Sequence, residues 1–304
     1  MSVQTDLKRV RVSMMNAVHD LALLVARDEG LFREQGLEVE VVQTPGTAQV
    51  DADRRAMRDV IFDRTMEGLY NTGDVDQYRM CEWGVMKRTV EAAQCGQRPA
   101  KIVALGSAMS KMAIITRGDG PIYEPEQLKD TPVAVSPFNG SHFTTLKMLE
   151  GFVAKEHIRV TNAGTMRERL EAVRRGEVAA ANVMEPWISV AQKQGFRLIM
   201  ECHSTRSEAA GDELDGATLK KMFDAEAEAA KAIEKNPAKY AHYLVEEAGG
   251  LLEPKDLKLS RILNAPPEPY TRERFQHTYE WTRDWGLVPA GATYENTVDN
   301  RAWQ

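Results

Sequence analysis

The stretch Gly176-Glu177-Val178-Ala179-Ala180-Ala181-Asn182-Val183-Met184-Glu185-Pro186-Trp187 constrains this chain more than any other. An amphipathic helix over 165–175 leads into it. The apolar run at 178–183 is too short for an ordinary helix and is bounded by Gly176 and Pro186, so it reads as a short buried strand. A residue before proline avoids the α region, which places Glu185 extended at the strand's C-terminal end, before a new helix. In an open α/β sheet, ligands bind in the crevice beyond such strand ends. Position alone leaves two readings of Glu185. It is a carboxylate delivered to a site with Trp187 close by, or a buried cap of the following helix.

The same alternation recurs along the chain. Strands are predicted at 10–14, 38–42, 78–84, 102–105, 112–116, 133–135 and 197–201. Helices are predicted at 20–29, 53–69, 85–93, 124–129 and 143–155, the last with Ser141 as its N-cap. Breakers mark a loop at 44–47 and a turn at 106–110. Strands alternating with helices give a parallel-rich α/β sheet. They fall into two blocks, 8–106 and 112–202, and 304 residues are more than one ordinary core needs. After His203 the composition changes: 204–215 is polar and loop-like, and helices follow at 217–235, 237–248, 254–263 and 272–285. The expected division is a first lobe of residues 1–108 with the helical tail 204–304, and a second lobe of 109–203.

A net charge of -6 favours neither nucleic acid nor an anionic membrane as partner. Cys81, Cys95 and Cys202 have no metal-ligand or CxxC spacing, and so sparse a set fits a reducing compartment rather than a disulfide framework. Neither a metal nor a cofactor is expected, since no Gly-rich phosphate loop, metal cluster or HExxH is present. The first eleven residues are polar, and the longest early apolar run, 21–26, is too short for a signal core or a membrane span. As written the protein reads as cytoplasmic without membrane insertion; a trimmed leader would make it periplasmic.

Glu29-Gly30-Leu31-Phe32 with Gly36-Leu37-Glu38-Val39 resembles the opening of the NMT1/THI5-like group, which includes sulfonate-, nitrate- and taurine-type solute-binding proteins. Gln127-Leu128-Lys129 before the strand at Val133 is similar to a further step of that group, with Asp130-Thr131 in place of the usual Gly-Lys. Gly176-Glu177-Val178 with Glu185-Pro186-Trp187 resembles another, with Ala179 where Asp is usual. Together these cover most of residues 10–202. The resemblance implies a two-lobed periplasmic-binding-protein type II fold, with two hinge crossovers, an interlobe ligand cleft and a helical C-terminal region. The same scaffold serves cytoplasmic enzymes, among them 4,5-dihydroxyphthalate decarboxylase, an aryl-sulfinate desulfinase and a pyrimidine synthase. Asp76 with Cys81-Glu82 is similar to a decarboxylase step, interrupted by residues 77–80. The synthase's cysteine-rich motif is absent. Met14-Met15-Asn16 stands where the desulfinase carries its cysteine, so neither of those two activities carries over.

On that fold four loops converge on one cleft. They carry Asn16 and His19; Cys81, Glu82 and Trp83; Asn139, Gly140, Ser141 and His142; and Asn182, Met184 and Glu185. The third is the expected anion site, because Gly140 admits a close approach and the helix start offers unpaired N–H groups and a positive dipole end. Trp83 either stacks on a planar ligand or packs in the core. Glu82 and Glu185, if they meet, form an acid–base pair, with Cys81, His19 and His142 as further catalytic candidates. Three functions follow as expectations. The chain is the receptor of an ABC importer, binding a small, planar or aromatic organic anion and docking on a permease. Alternatively it is a cofactor-independent lyase or hydrolase of the decarboxylase or desulfinase type, or a cytoplasmic ligand sensor.

Overall fold

The structure is a computed structural model that describes residues 7–43 and 66–304. The loop predicted at 44–47 and most of the helix predicted at 53–69 lie outside the described residues. The chain runs β1 (Lys8–Met14), α1 (Ala17–Asp28), α2 (Leu31–Glu34), β2 (Leu37–Gln43), α3 (Met66–Thr72), β3 (Gln77–Cys81), α4 (Glu82–Cys95) and β4 (Lys101–Thr116). It continues through β5 (Pro132–Val135), α5 (Gly140–Leu149), β6 (Arg159–Asn162), α6 (Met166–Arg175), β7 (Ala180–Met184), α7 (Trp187–Lys193) and β8 (Arg197–Ala210). The tail holds α8 (Gly216–Lys235), α9 (Pro237–Glu247), β9 (Ile262–Asn264), α10 (Arg272–Asp284) and α11 (Tyr294–Thr297).

The strands form one sheet in the order β2-β1-β3-β8-β4-β7-β5-β6, with β9 on the side of β4. Parallel pairs stand at both ends, β1 with β2 and β3, and β5 with β6 and β7. Between them β4 and β8 run antiparallel, from Lys101 opposite Ala210 to Thr116 opposite Arg197. These two long strands are shared by both halves of the sheet, and the two α/β lobes meet along them.

Several expectations are corrected here. The turn predicted at 106–110 is part of β4, absorbed as a register shift between Leu105 and Met109, where β9 adds a partner at Ala108–Ser110. At Gly106 a Cβ would lie 2.3 Å from Glu208 Oε1, so a larger residue would have to push that carboxylate aside. The polar stretch from Ser204 is a strand as far as Ala210, because its polar side chains face buried charges instead of water. The helix predicted at 254–263 is two short 3-10 turns, Pro254–Asp256 and Leu259–Arg261, followed by β9.

Residues 82–84 open α4 instead of ending a strand, the helix predicted at 124–129 is a 3-10 turn at Pro125–Leu128, and the helix predicted to 155 ends at Leu149. At α6 and α1 local chemistry and element agree. In α6 the Thr165 hydroxyl accepts from the Glu168 N–H and the Glu168 carboxylate returns to the Thr165 N–H, while Gly176 closes the helix in the left-handed region. Helix α1 is buried along residues 17–26, polar His19 and Asp20 included, and packs against the sheet, α8 and α9. Fully buried Leu21 and Leu23 each contribute about 1.5–3 kcal/mol of apolar burial. This core joins α1 to the tail helices and continues through α6, β7 and α7. A second core, around Val133, Leu146 and Leu149, belongs to the other lobe.

Candidate functional site between the lobes

The lobes touch where β3 ends and α5 begins. A Cβ on Gly140 would lie 3.5 Å from Cys81 Cβ and 3.9 Å from Ser204 Oγ. That seam lies beyond the ends of β1 and β3, the edge at which an open α/β sheet offers a site.

On the first-lobe side Asn16 is the N-cap of α1, its Oδ1 accepting from the His19 N–H at 3.0 Å. Its Nδ2 is buried without a protein partner, as is His19 Nδ1. Burial, then the nearby Arg206 and Arg79 charges, push the His19 pKa well below its ordinary value, so the imidazole is neutral. Asp20 accepts from the Met15 and Asn16 N–H groups and fixes the turn into α1.

On the second-lobe side the cap of α5 is Asn139, not Ser141, and the helix starts at Gly140. The Gly140 N–H donates to Asn139 Oδ1, and the His142 and Phe143 N–H groups to the Asn139 carbonyl. Ser141 Oγ accepts from Ser136 N–H, and His142 Nδ1 from Phe138 N–H. Burial, with Lys87 nearby, pulls the His142 pKa down to about 4. The donors expected to hold an anion at this helix start are thus largely taken by the loop itself.

The other candidates are also engaged. Burial pushes the Cys81 thiol up to about 12, which leaves no thiolate nucleophile at neutral pH. Trp83 packs on Phe143, centroids 6.2 Å apart, and on Trp281 at 5.9 Å, so its ring belongs to an aromatic cluster bridging the lobes. Glu82 accepts from Tyr270 Oη at 2.7 Å, Thr278 Oγ1 at 2.6 Å, Thr205 Oγ1 and the Arg274 guanidinium. Burial alone would raise its pKa; Arg274 and the hydroxyls outweigh that and hold the carboxyl below the usual range. Glu185, joined to Pro186 by a cis bond, accepts from Ser189 N–H and Oγ, and Arg261 lies 3.4 Å away. The acid–base pair of Glu82 and Glu185 does not form, since each carboxylate has its own arginine. Asn182 donates to the Thr144 and Thr145 hydroxyls, tying β7 to α5. Met184 is buried opposite Met112 on β4.

Sequence reasoning missed the charges beneath the first-lobe wall. Arg79 Nε donates to Glu208 at 2.8 Å and its Nη2 to both Glu226 oxygens at 2.7 Å. Gln77 also reaches Glu208, and Ser107 reaches Glu226. Arg206, opposite Cys81 in the β3–β8 ladder, places Nη2 2.9 Å from Asp20 Oδ1 and donates to the Arg79 carbonyl at 3.1 Å. Its Nε and Nη1 have no protein partner, nor has Ser204 Oγ, two residues back on the same strand face. The available signal was the polar alternation Ser204, Arg206, Glu208; in the ladder Arg206 stands opposite Cys81 and Glu208 opposite Arg79.

Among the described residues no group of His, Cys, Asp and Glu is arranged to hold a metal, and no helix is long and apolar enough to cross a membrane. A separate concavity of about 350 Å³ lies between α10 and α11, lined by Phe275, Tyr279 and Tyr294 and the Arg272–Glu295 ion pair.

No protein-family model matches this sequence, and no curated protein is similar to it. Solved structures do share its fold. The periplasmic aliphatic sulphonate binding protein SsuA of Escherichia coli superposes with a TM-score of 0.71 at 17% identity, over 96% of this chain and 92% of that one. The periplasmic nitrate-binding protein NrtA of Synechocystis PCC 6803 gives 0.72 at 14% identity, over 98% and 88%. The desulfurization enzyme DSZB gives 0.63 at 12% identity, over 97% of each chain. The architecture of this chain is that of the periplasmic-binding-protein fold.

Proposed function

We propose that this protein binds a small organic anion in the crevice between its lobes, as the solute receptor of an ABC-type importer. The observation that carries this reading is the contrast within the crevice. Most groups that would do chemistry are engaged, His19 Nδ1 being the exception, while donors at Asn16, Ser204 and Arg206 are not. The Cys81 thiol is held protonated, and the Glu82 and Glu185 carboxylates are bound to arginines. The sulphonate- and nitrate-binding proteins of the same fold support the ligand class, and DSZB shows that the fold also carries an enzyme. An open stacking face for an aromatic ligand loses support, because Trp83 packs on Phe143 and Trp281.

The test is incubation of the purified protein with alkyl and aryl carboxylates and sulfonates. Binding is read by thermal shift, since a ligand of the native state raises the unfolding temperature. Conversion is read by chromatography of the recovered acid. Stabilisation with quantitative recovery supports a receptor; catalytic loss of any acid supports the lyase reading instead. Cell fractionation of the host locates the protein, and uptake by vesicles carrying a candidate permease tests the partner. A purely cytosolic protein would end the importer reading.

A further inference from the structure

We infer that Arg206, not the start of α5, holds the ligand's charged group, and that this group is a singly charged oxyanion, a carboxylate or a sulfonate. The inference rests on the solute-binding reading above and names its anchor.

Two arginines share one buried cluster. Both are 1% exposed. Arg79 has a carboxylate on Nε and another on Nη2, with Asp20 3.8 Å from Nη1. Arg206 has one carboxylate, Asp20, on one nitrogen, and that carboxylate also serves two backbone N–H groups. Taking a guanidinium out of water costs several kcal/mol unless charge and hydrogen bonds replace the water. Arg79 receives that replacement and its pKa stands above the ordinary value. Arg206 does not: burial outweighs Asp20, and its pKa stands below. A buried cation with unused donors is an anion site in waiting.

Its position fits. Arg206 lies opposite Cys81, and Cys81 and Ser204 are the residues that Gly140 of the second lobe approaches. Arg206 is therefore the ladder partner of a residue at the seam, and its Nη2 lies on Asp20 at the turn into α1. Around it Asn16 Nδ2, Ser204 Oγ and His19 Nδ1 are buried without protein partners. Asn16 and His19 belong to the turn that Asp20 fixes, and Asp20 is the residue paired with Arg206. Neutral donors beside one cation suit an oxyanion with several acceptor oxygens.

The cluster also limits the ligand's charge. Asp20, Glu208 and Glu226 face Arg79 and Arg206, and burial with Glu208 nearby raises the Glu226 pKa toward the neutral acid. One added negative charge is tolerable there; two would face three carboxyl groups with no further cation among the residues named.

The experiment compares wild type with Arg206→Lys, which keeps a charge toward Asp20 but loses the Nε and Nη1 donors. The probes are butyrate, benzoate, ethanesulfonate and benzenesulfonate, with benzamide and benzenesulfonamide as neutral counterparts and succinate as a dianion. Calorimetry is expected to show monoanions bound by wild type, weakened at least thirtyfold by Arg206→Lys, while any binding of the neutral amides changes less than threefold. Damage to the crevice as a whole would weaken both sets. A preference for carboxylates or for sulfonates identifies which oxyanion is held. Ser204→Ala is a second variant that leaves the ion pairs intact, with an expected three- to tenfold loss for the same acids, and it decides if Arg206→Lys does not fold. Folded Arg206→Lys binding the acids at wild-type strength would overturn the anchor and leave solute binding standing. Wild type binding only amides or succinate would overturn the ligand class. No binding of any probe by wild type would overturn the receptor reading itself.

Discussion

The two walls of the crevice treat their polar groups in opposite ways. On the second-lobe wall the start of α5 is self-contained: Asn139, Ser141 and His142 accept the N–H groups of their own loop. On the first-lobe wall Arg206, Asn16, His19 and Ser204 are buried with capacity left over. A helix start advertises donors in sequence, yet its neighbours in the chain are the first to take them. A buried strand charge advertises nothing, but its partners must come from elsewhere in the fold, and they can fall short.

The largest effect that would sharpen this contrast lies beneath the first-lobe wall. Arg79→Met removes the cation that Glu208 and Glu226 share, leaving two buried carboxylates uncompensated. Breaking a buried pair from one side costs about 3–5 kcal/mol. Urea unfolding of the ligand-free variant should show a loss of that size, whereas Arg206→Met, which strands a single carboxylate that two backbone N–H groups already serve, should lose less. Equal losses at the two positions would mean that Arg206 is as fully engaged as Arg79, and the contrast would collapse.

A second test concerns Glu247, at the end of α9. Its carboxylate accepts from the Ala17 N–H at 2.6 Å, on the first-lobe wall, and from the Trp187 indole, on the second. Burial raises its pKa from 4.5 to about 7, and the nearby Asp20 charge adds to the rise. The folded state therefore binds more protons than the unfolded chain between those values, so this group's contribution to stability is greatest at low pH and falls as pH rises to about 7. The nominal size is about 3 kcal/mol. Part of the side chain reaches solvent, which reduces it to about 2 kcal/mol. Glu247→Gln should gain stability relative to wild type by about that much between pH 4.5 and pH 8, measured by denaturant unfolding at each pH. A difference that does not change with pH would show that the carboxylate is hydrated, and that the walls are not joined through it.

The seam itself comes next. Gly140 has an ordinary φ, and a single Cβ would make normal contact with Cys81, so Gly140→Ala should bind within threefold of wild type. The extra methyl groups of valine would meet Cys81 and hold the walls apart. Gly140→Val should therefore weaken the best-bound acid of the panel at least tenfold, about 1.4 kcal/mol, in a variant whose cooperative unfolding shows that the cluster of Cys81, Trp83 and Phe143 still packs. Unchanged affinity would mean that the walls need not meet over the ligand.

Much of the fold was legible because it is written in local signals. The strand before Pro186 is bounded by Gly176 and the proline, and β7 occupies its apolar centre, Ala180–Met184. The Thr165 and Glu168 spacing starts α6, and the alternation at 38–42 is the core of β2. The second half of β8 was illegible because its burial rests on ion pairs, and a polar run reads as a loop when partners more than a hundred residues away are invisible. The site suffered from the same blindness. Glu82 looked available because Tyr270, Arg274 and Thr278 come from α10 and the chain just before it, nearly two hundred residues later.

The smallest effect is the one that separates the walls most directly. Asn139→Ala removes the side-chain oxygen that receives the Gly140 N–H and leaves that donor free at the seam. Loss of an N-cap of this type costs about 1 kcal/mol, which should appear as a modest drop in the ligand-free unfolding temperature. Its effect on binding depends on which wall holds the anion. If Arg206 is the anchor, the freed donor lies on the wrong side of the crevice, and affinity for the panel acids should stay within twofold. If the start of α5 is the anchor, freeing an N–H that points toward an anion should change affinity several-fold, since a charge-assisted bond is about twice as strong as a neutral one. Calorimetry on this one variant therefore reports on stability and on the site independently. A several-fold change in affinity would move the anion back to the second-lobe wall.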